Sequence, residues 1–110
     1  MPSMTLQAFE DSLRGERPPD GLGRALQALW QAAKGDWHAA HALAQAEDGA
    51  AGAWVHAYLH RVEGDLANAG YWYRRAGRPA CEAPLAKEWS AIAQALLAAA
   101  PAAGSNDKIS

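Results

Sequence analysis

The sequence has 110 residues, of which 50% are hydrophobic and 20% are charged, a composition typical of one compact domain and too apolar for a disordered chain. Alanine, the best helix former, occurs 28 times and isoleucine only twice, which excludes an all-β fold. The formal net charge of −2 provides no field that attracts a phosphate backbone, and this argues against general nucleic-acid binding. The single cysteine, Cys81, excludes an internal disulfide and a cysteine-based zinc cluster.

The N-terminal segment from Met1 to Phe9 has neither a basic run nor an apolar stretch of signal-peptide length. The most apolar window, Ala91 to Ala100, is about half as long as the roughly 20 residues that a membrane span needs. We therefore expect a cytoplasmic protein that does not act at a membrane.

Apolar residues recur at helical spacing along most of the chain, and glycine and proline interrupt the pattern. The glycine-aspartate pairs at 35–36 and 64–65 each end one helix with a glycine and start the next with a capping aspartate. Gly15–Gly23 is predicted as a loop and Glu47–Gly52 as a turn. The predicted helices, in chain order, are Thr5–Arg14, Leu22–Ala33, Trp37–Ala46, Ala53–Glu63, Leu66–Ala76 and Leu85–Ala100.

Two stretches of the chain resemble each other at an offset of 29 residues, which places Gly35 on Gly64 and Asp36 on Asp65. Each copy reads as a helical hairpin that cannot bury its apolar face alone, so we expect the two hairpins to stack. The first and last helices then act as caps. The sequence predicts one all-α domain, 1–110, with an ordered core at about 4–100, repeats at about 24–48 and 53–79, and a flexible tail at 101–110.

The segment from Gly64 to Ala76 resembles the second helix of a tetratricopeptide-like repeat, particularly of its Sel-like branch. That helix has a turn glycine, a small residue five positions later, an aromatic pair and another small residue. The matching positions here are Gly64, Ala69, Trp72, Tyr73 and Ala76. The resemblance covers roughly residues 24 to 79, although the first copy has Ala44 in place of the aromatic. It implies tetratricopeptide-like hairpins that bind a peptide or a partner protein. The whole chain also resembles small uncharacterised proteins of bacteria, which implies no function.

The histidines are the first candidate for a site. His56 and His60 lie one helical turn apart, and Glu63 lies one turn further. Imidazoles at this spacing can chelate one metal ion, and a carboxylate can complete a three-ligand site. His38 and His41 are on the preceding helix, and antiparallel packing brings His38 level with residues 60–61. The candidate metal site is therefore His38, His56, His60 and Glu63; the competing interpretation is that these histidines are solvated or hydrogen-bonded on a polar helix face.

The second candidate is an aromatic and basic strip on the fifth helix and just after it. Arginine beside tyrosine and tryptophan is typical of binding hot spots, and a guanidinium can hold a carboxylate in two parallel hydrogen bonds. The competing interpretation is that the arginines cover a solvent-exposed face and neutralise the C-terminus of the helix. The predicted partner-binding residues are Tyr71, Trp72, Arg74, Arg75 and Arg78.

The chain has five tryptophans, whose large rings can fill the gaps between helices lined with alanine. We expect Trp30, Trp54 and Trp89 to be buried; an exposed tryptophan would mark a binding groove. Nucleophilic catalysis finds no support, since Cys81 lies beside the acidic Glu82, an unfavourable setting for a thiolate. The serines have no adjacent base in a recognisable motif.

The sequence therefore predicts a small protein-interaction module that binds an unknown protein or peptide through the aromatic and basic strip, with no catalytic residue and no cofactor. An alternative is a metal- or small-ligand-binding protein, including an enzyme, that uses the histidines. A third hypothesis is a homodimer in which the last helix, Leu85–Ala100, packs against its twin.

Overall fold

The structure, a computed structural model, describes residues 4–99, and this part of the chain is all-α. A short 3-10 turn, Ser12–Arg14, follows the first helix directly. The helices are α1 (Leu6–Asp11), α2 (Arg24–Ala33), α3 (Trp37–Ala46), α4 (Ala50–Glu63), α5 (Leu66–Ala76) and α6 (Leu85–Ala99). The tail predicted at 101–110 lies outside the described residues.

The helices pack as two hairpins. Helices α2 and α3 form the first and α4 and α5 the second, and α3 lies against α4, so that the hairpins are stacked as predicted. Helix α6 packs on α2 and α4, and α1 packs on α6. Helix α4 is therefore at the centre of the molecule, in contact with α2, α3, α5 and α6. Within residues 4–99, no helix combines the length and the apolar character needed to cross a membrane.

The two glycine-aspartate corners have the same backbone conformation. Gly35 and Gly64 have φ angles of +89° and +87°, in the left-handed region that favours glycine. The side chains of Asp36 and Asp65 each accept a hydrogen bond from the backbone amide three residues later. Because glycine ends one helix and aspartate caps the next, α2 and α4 end, and α3 and α5 begin, at the predicted residues.

Three helices begin at residues that differ from the prediction, and α1 begins at Leu6 because Thr5 is its capping residue. Helix α2 begins at Arg24 and not at Leu22. Helix α4 begins at Ala50 and not at Ala53, so the predicted turn ends at Gly49. Gly52, which the sequence assigned to that turn, is buried inside α4. A Cβ at this position would lie 2.1 Å from the carbonyl oxygen of Glu47, so no larger residue fits there. This glycine allows close packing of the backbone.

The apolar core lies between the hairpins and α6, around the fully buried side chains of Phe9, Leu29, Leu59 and Ile92. Trp30 and Trp89 are buried, as predicted, and each indole N–H finds an acceptor: Ser12 Oγ at 3.0 Å for Trp30 and the Leu29 carbonyl at 2.8 Å for Trp89. The core is thus filled by a few large side chains, as expected for helices so rich in alanine.

One burial prediction is wrong. Trp54 is only half-buried, and the guanidinium of Arg78 covers its ring at 3.5 Å from the centroid. Leu66 of α5 is also 68% exposed. It occupies the first position of α5, directly after the capping residue Asp65.

A buried polar network joins α4, α5 and α6. Glu88, only 3% exposed, accepts a hydrogen bond from Arg61 at 2.6 Å with one carboxylate oxygen and one from the Tyr73 hydroxyl with the other. Arg61 also donates to the Ala83 carbonyl at 2.7 Å. Burial, together with the hydrogen bond to Glu88, raises the pKa of Tyr73. We call these residues the Arg61–Tyr73–Glu88 network.

Candidate functional site

Three histidines meet on the opposite side of α4. His41 extends from α3, and His56 and His60 extend from successive turns of α4. One ring nitrogen from each lies within 4.8 Å of the others, and the ring centroids are 4.5 to 5.5 Å apart. His56 and His60 are buried and His41 is half-buried. We call these three residues the histidine cluster.

Trp37 fixes one side of the cluster. Its indole N–H donates to the Leu59 carbonyl at 2.8 Å and so fastens the start of α3 to α4. Its ring stacks on His41, with centroids 4.7 Å apart and planes inclined by 13°. Since His41 lies one turn after Trp37, this anchor also sets the position of the His41 imidazole.

Trp72 of α5 encloses the cluster from the other side. Its ring stacks on His56 at 3.8 Å, with planes inclined by 11°. The cluster is therefore held between two indoles that come from the two helices flanking α4. Such walls limit the access of water and hold the imidazoles in fixed orientations.

Glu63 acts on the cluster from outside it. Its carboxylate oxygen lies 2.7 Å from Nδ1 of His60. A carboxylate accepts, so Nδ1 carries the proton and Nε2 is left as the lone-pair donor. Carboxylates in this relation to a histidine orient metal ligands and raise their basicity. Glu63 is therefore an orienting residue, where the sequence suggested a direct ligand.

The environment favours the neutral forms of His56 and His41. Burial, reinforced by repulsion from His41 and His60, lowers the pKa of His56 to about 4. Burial and the proximity of His60 also lower the pKa of His41. At neutral pH these imidazoles therefore carry lone pairs, the form in which histidine binds a metal ion.

One histidine of the predicted metal site, His38, lies outside the histidine cluster. His38 is exposed and meets only the edge of Trp37, at a centroid distance of 5.6 Å. His41, one turn later on α3, faces His56 and His60 in its place. The predicted pair on α4 thus belongs to the cluster, and the partner from α3 is a different histidine.

The three ring nitrogens of the histidine cluster can bind one small ion after modest movements of the imidazole rings. Zinc–nitrogen bonds of about 2.1 Å place two tetrahedral ligands about 3.4 Å apart, so closure from the observed separations needs movements of roughly 1 Å. Rotation of the imidazoles about their side-chain torsions can supply such movements without displacing a helix.

The aromatic and basic strip divides into two stacks. Arg75 lies over the rings of Trp72 and Tyr71, at 5.2 and 5.7 Å from their centroids, and its Nη1 donates to the Tyr71 hydroxyl at 3.2 Å. Arg78 instead lies over Trp54 of α4, a contact that the sequence pattern does not predict. Arg74 is exposed beside them. Two of the three predicted arginines therefore lie over aromatic rings.

Comparison of the chain with protein-family models, with curated proteins and with solved structures found no match.

Proposed function

We propose that this protein binds a divalent transition-metal ion through His41, His56 and His60. The observation that carries the proposal is the convergence of three imidazole nitrogens within 4.8 Å of one another. Two of these rings are buried, a location where a polar group without a partner is unfavourable. A bound cation would supply that partner.

The shape of the site favours an ion that also binds a ligand. Structural zinc sites use four protein ligands, whereas sites with three leave a position for water or a substrate. The described residues bring three histidine nitrogens together, and Glu63 is already engaged with Nδ1 of His60. The proposed site is thus an open one, with zinc, cobalt, nickel or copper as the ions that imidazole suits.

The experiment is calorimetric titration of the metal-free protein with Zn²⁺ and with Ni²⁺ at pH 7.5. We expect one ion per chain and a Kd below about 1 μM, in keeping with a three-histidine site that is largely preformed. His41→Ala and, separately, His60→Ala should each weaken binding by at least about a hundredfold, through loss of one of three ligands.

His38→Ala is the matched control, since it removes an exposed histidine from the same helix as His41. Its affinity for either ion should equal that of the parent protein. Equal losses in His38→Ala and His41→Ala, or no saturable binding by the parent protein, would contradict the proposal.

A second candidate function, capture of an acidic partner protein or peptide, is favoured by the arginine stacks. Arg75 and Arg78 are held against aromatic rings, and no carboxylate within residues 4–99 forms an ion pair with either. Tyr71 is 45% exposed beside Arg75. Guanidinium groups arranged in this way lose little freedom when they pair with a carboxylate.

This second function is tested with an immobilised peptide that carries glutamates around one tryptophan. The parent protein should be retained on it, and Arg74→Ala combined with Arg75→Ala should abolish retention without unfolding the domain. A matched double variant on the first hairpin, Arg24→Ala with Lys34→Ala, should be retained like the parent. Equal retention of both double variants would contradict the capture of an acidic partner by Arg74 and Arg75.

A further inference from the structure

A cavity of about 220 Å³ opens directly beside the histidine cluster. It lies between the end of α3 with the turn that follows, the first turns of α4, and the last turns of α5. His56 and Trp72, the stacked pair that closes the cluster, also line this cavity. Its volume is below the range of about 300 to 1,000 Å³ that is typical of pockets for drug-sized molecules, so its occupant must be small.

Charges of opposite sign line this cavity on different walls. Glu47 and Asp48 belong to the turn between α3 and α4, whereas Arg75 belongs to α5. Helix α4 packs against both α3 and α5 and so separates the two walls. Within residues 4–99, none of these three side chains forms an ion pair. A small cavity thus has an acidic wall and a basic wall, neither neutralised by the other.

Arg75 is held in place for recognition. Its guanidinium contacts the rings of Trp72 and Tyr71, and one of its nitrogens donates to the Tyr71 hydroxyl. The planar group retains further N–H donors in a fork that matches the two oxygens of a carboxylate. Trp72 contacts both this guanidinium and His56, and all three residues line the cavity, so a small molecule in it lies beside both Arg75 and the histidine cluster.

We propose that the cavity binds a small amino acid, a molecule with one carboxylate and one ammonium group. The inference rests on the proposed function, because the ligand's carboxylate would also complete the coordination of an ion held at His56. An anion without an ammonium group would be repelled by the unpaired carboxylates of Glu47 and Asp48. An amine without a carboxylate would be repelled by the guanidinium of Arg75. A molecule with both charges satisfies both walls.

The charge balance makes this binding dependent on the ion. The two carboxylates and one guanidinium that line the cavity sum to −1. A divalent ion at the cluster changes this sum to +1. The carboxylate of the ligand is therefore attracted more strongly once the metal is in place, and the ion and the amino acid should bind cooperatively.

The test uses the protein loaded with Co²⁺ at less than one equivalent, since the visible absorption of this ion reports its coordination. β-Alanine is the probe, and propionate and propylamine are its matched halves, each lacking one of the two charged groups. We expect β-alanine to change the cobalt spectrum and to bind at least about tenfold more tightly than either half, the size of effect that one charge-assisted hydrogen bond provides. The metal-free protein should bind β-alanine at least about tenfold more weakly than the loaded protein.

Variants locate the binding at the two walls. Arg75→Gln should weaken binding of β-alanine to the cobalt protein by at least about tenfold, whereas Arg74→Gln, the exposed neighbour, should not change it. Glu47→Gln with Asp48→Asn should remove the preference for β-alanine over propionate. Equal binding of β-alanine and propionate to the parent protein, or equal effects of the two arginine variants, would overturn the inference.

The two proposals fail in distinguishable ways. If the protein develops no cobalt spectrum, the proposed metal site is refuted, and the inference falls with it. If the cobalt spectrum develops and His41→Ala removes it, but β-alanine leaves it unchanged, the metal site stands and the amino-acid cavity is refuted.

Discussion

Helix α4 contributes residues to two groups of polar side chains, the Arg61–Tyr73–Glu88 network and the histidine cluster. The two groups differ in how many of their polar atoms have a hydrogen-bond partner. In the Arg61–Tyr73–Glu88 network, both oxygens of Glu88 accept a hydrogen bond and Arg61 donates twice. In the histidine cluster, Glu63 is the one hydrogen-bond partner that residues 4–99 supply to a ring nitrogen. Each group has two buried members and one that is partly exposed, Arg61 in the network and His41 in the cluster.

The difference separates a structural role from a binding role. A buried polar network whose members are all paired holds helices together and has no capacity left for a ligand. A buried group with free lone pairs is unfavourable in the isolated protein and becomes favourable when something fills it. We therefore expect perturbation of the first group to change stability and perturbation of the second to change binding.

The largest expected effect is on stability, in Glu88→Ala. Removing this carboxylate leaves the Arg61 guanidinium without its charged partner, so the free energy of unfolding should fall by about 3–5 kcal/mol. Urea denaturation followed by circular dichroism at pH 7 measures it. Replacing both partners, Glu88→Leu with Arg61→Met, should cost less than the single change. If the free energy of unfolding falls more in the double variant than in Glu88→Ala, the unpaired Arg61 guanidinium is not the cause of the lost stability.

The next effect is the pH dependence that the histidine cluster imposes on stability. The folded pKa of His56, about 4, lies below the 6.5 of an unfolded histidine, so protons bind preferentially to the unfolded chain between these values. Stability should therefore fall as the pH drops from 6.5 to 4, by up to about 3 kcal/mol from His56 alone. His41 titrates in the same direction.

His56→Asn isolates this contribution, because asparagine does not titrate and His41 remains. Its unfolding free energy, measured at pH 7 and pH 4.5, should change less between the two values than that of the parent protein. Parallel pH profiles for the two proteins would show that His56 is protonated as readily in the folded chain as in the unfolded one.

A smaller effect, confined to binding, is expected for Glu63→Gln. The amide retains an acceptor for Nδ1 of His60 but lacks the negative charge of the carboxylate beside the ring. The affinity for Zn²⁺ should fall by about 10- to 100-fold. Because the Glu63 side chain is 39% exposed, stability at pH 7 should change by less than about 1 kcal/mol. A larger loss of stability than of metal affinity would place Glu63 among the structural groups.

The smallest effect compares the two capping aspartates. Asp36→Ala and Asp65→Ala should each lower stability by about 1 kcal/mol, since each removes the side-chain acceptor at the start of a helix. Asp65 also lies with His60 and Glu63 in a second group whose possible ligand atoms are within 4.8 Å of one another. Equal zinc affinity of both variants would assign the ion to the histidine cluster; weaker binding in Asp65→Ala alone would assign it to the second group.

Local sequence signals were sufficient for much of the fold. The glycine-aspartate corners specify conformations of only a few residues, which is why the ends of α2 and α4 and the starts of α3 and α5 were predicted at their observed residues. Gly52 shows the limit of such signals. Whether a glycine turns the chain or admits a close backbone contact depends on what packs there, here the carbonyl of Glu47.

The candidate site was predictable only within one helix. The spacing of His56 and His60 requires no knowledge of other helices, since residues four apart always share a face. The choice between His38 and His41 depends on how α3 is rotated against α4, and residues three apart differ by about 60° around a helix. That rotation is set by the bond from Trp37 to the Leu59 carbonyl, a tertiary contact that the sequence pattern does not encode.

The stacking of Trp37 on His41 and of Trp72 on His56 has an optical consequence. Excited indoles in contact with a protonated imidazole, or close to an open-shell ion such as Ni²⁺ or Cu²⁺, lose much of their fluorescence. Trp30 and Trp89 lie in the core, with their N–H groups bonded to other acceptors, and their emission should persist. The protein thus contains its own paired sensor and reference fluorophores, and the occupancy of the histidine cluster can be followed in unlabelled protein at nanomolar concentration.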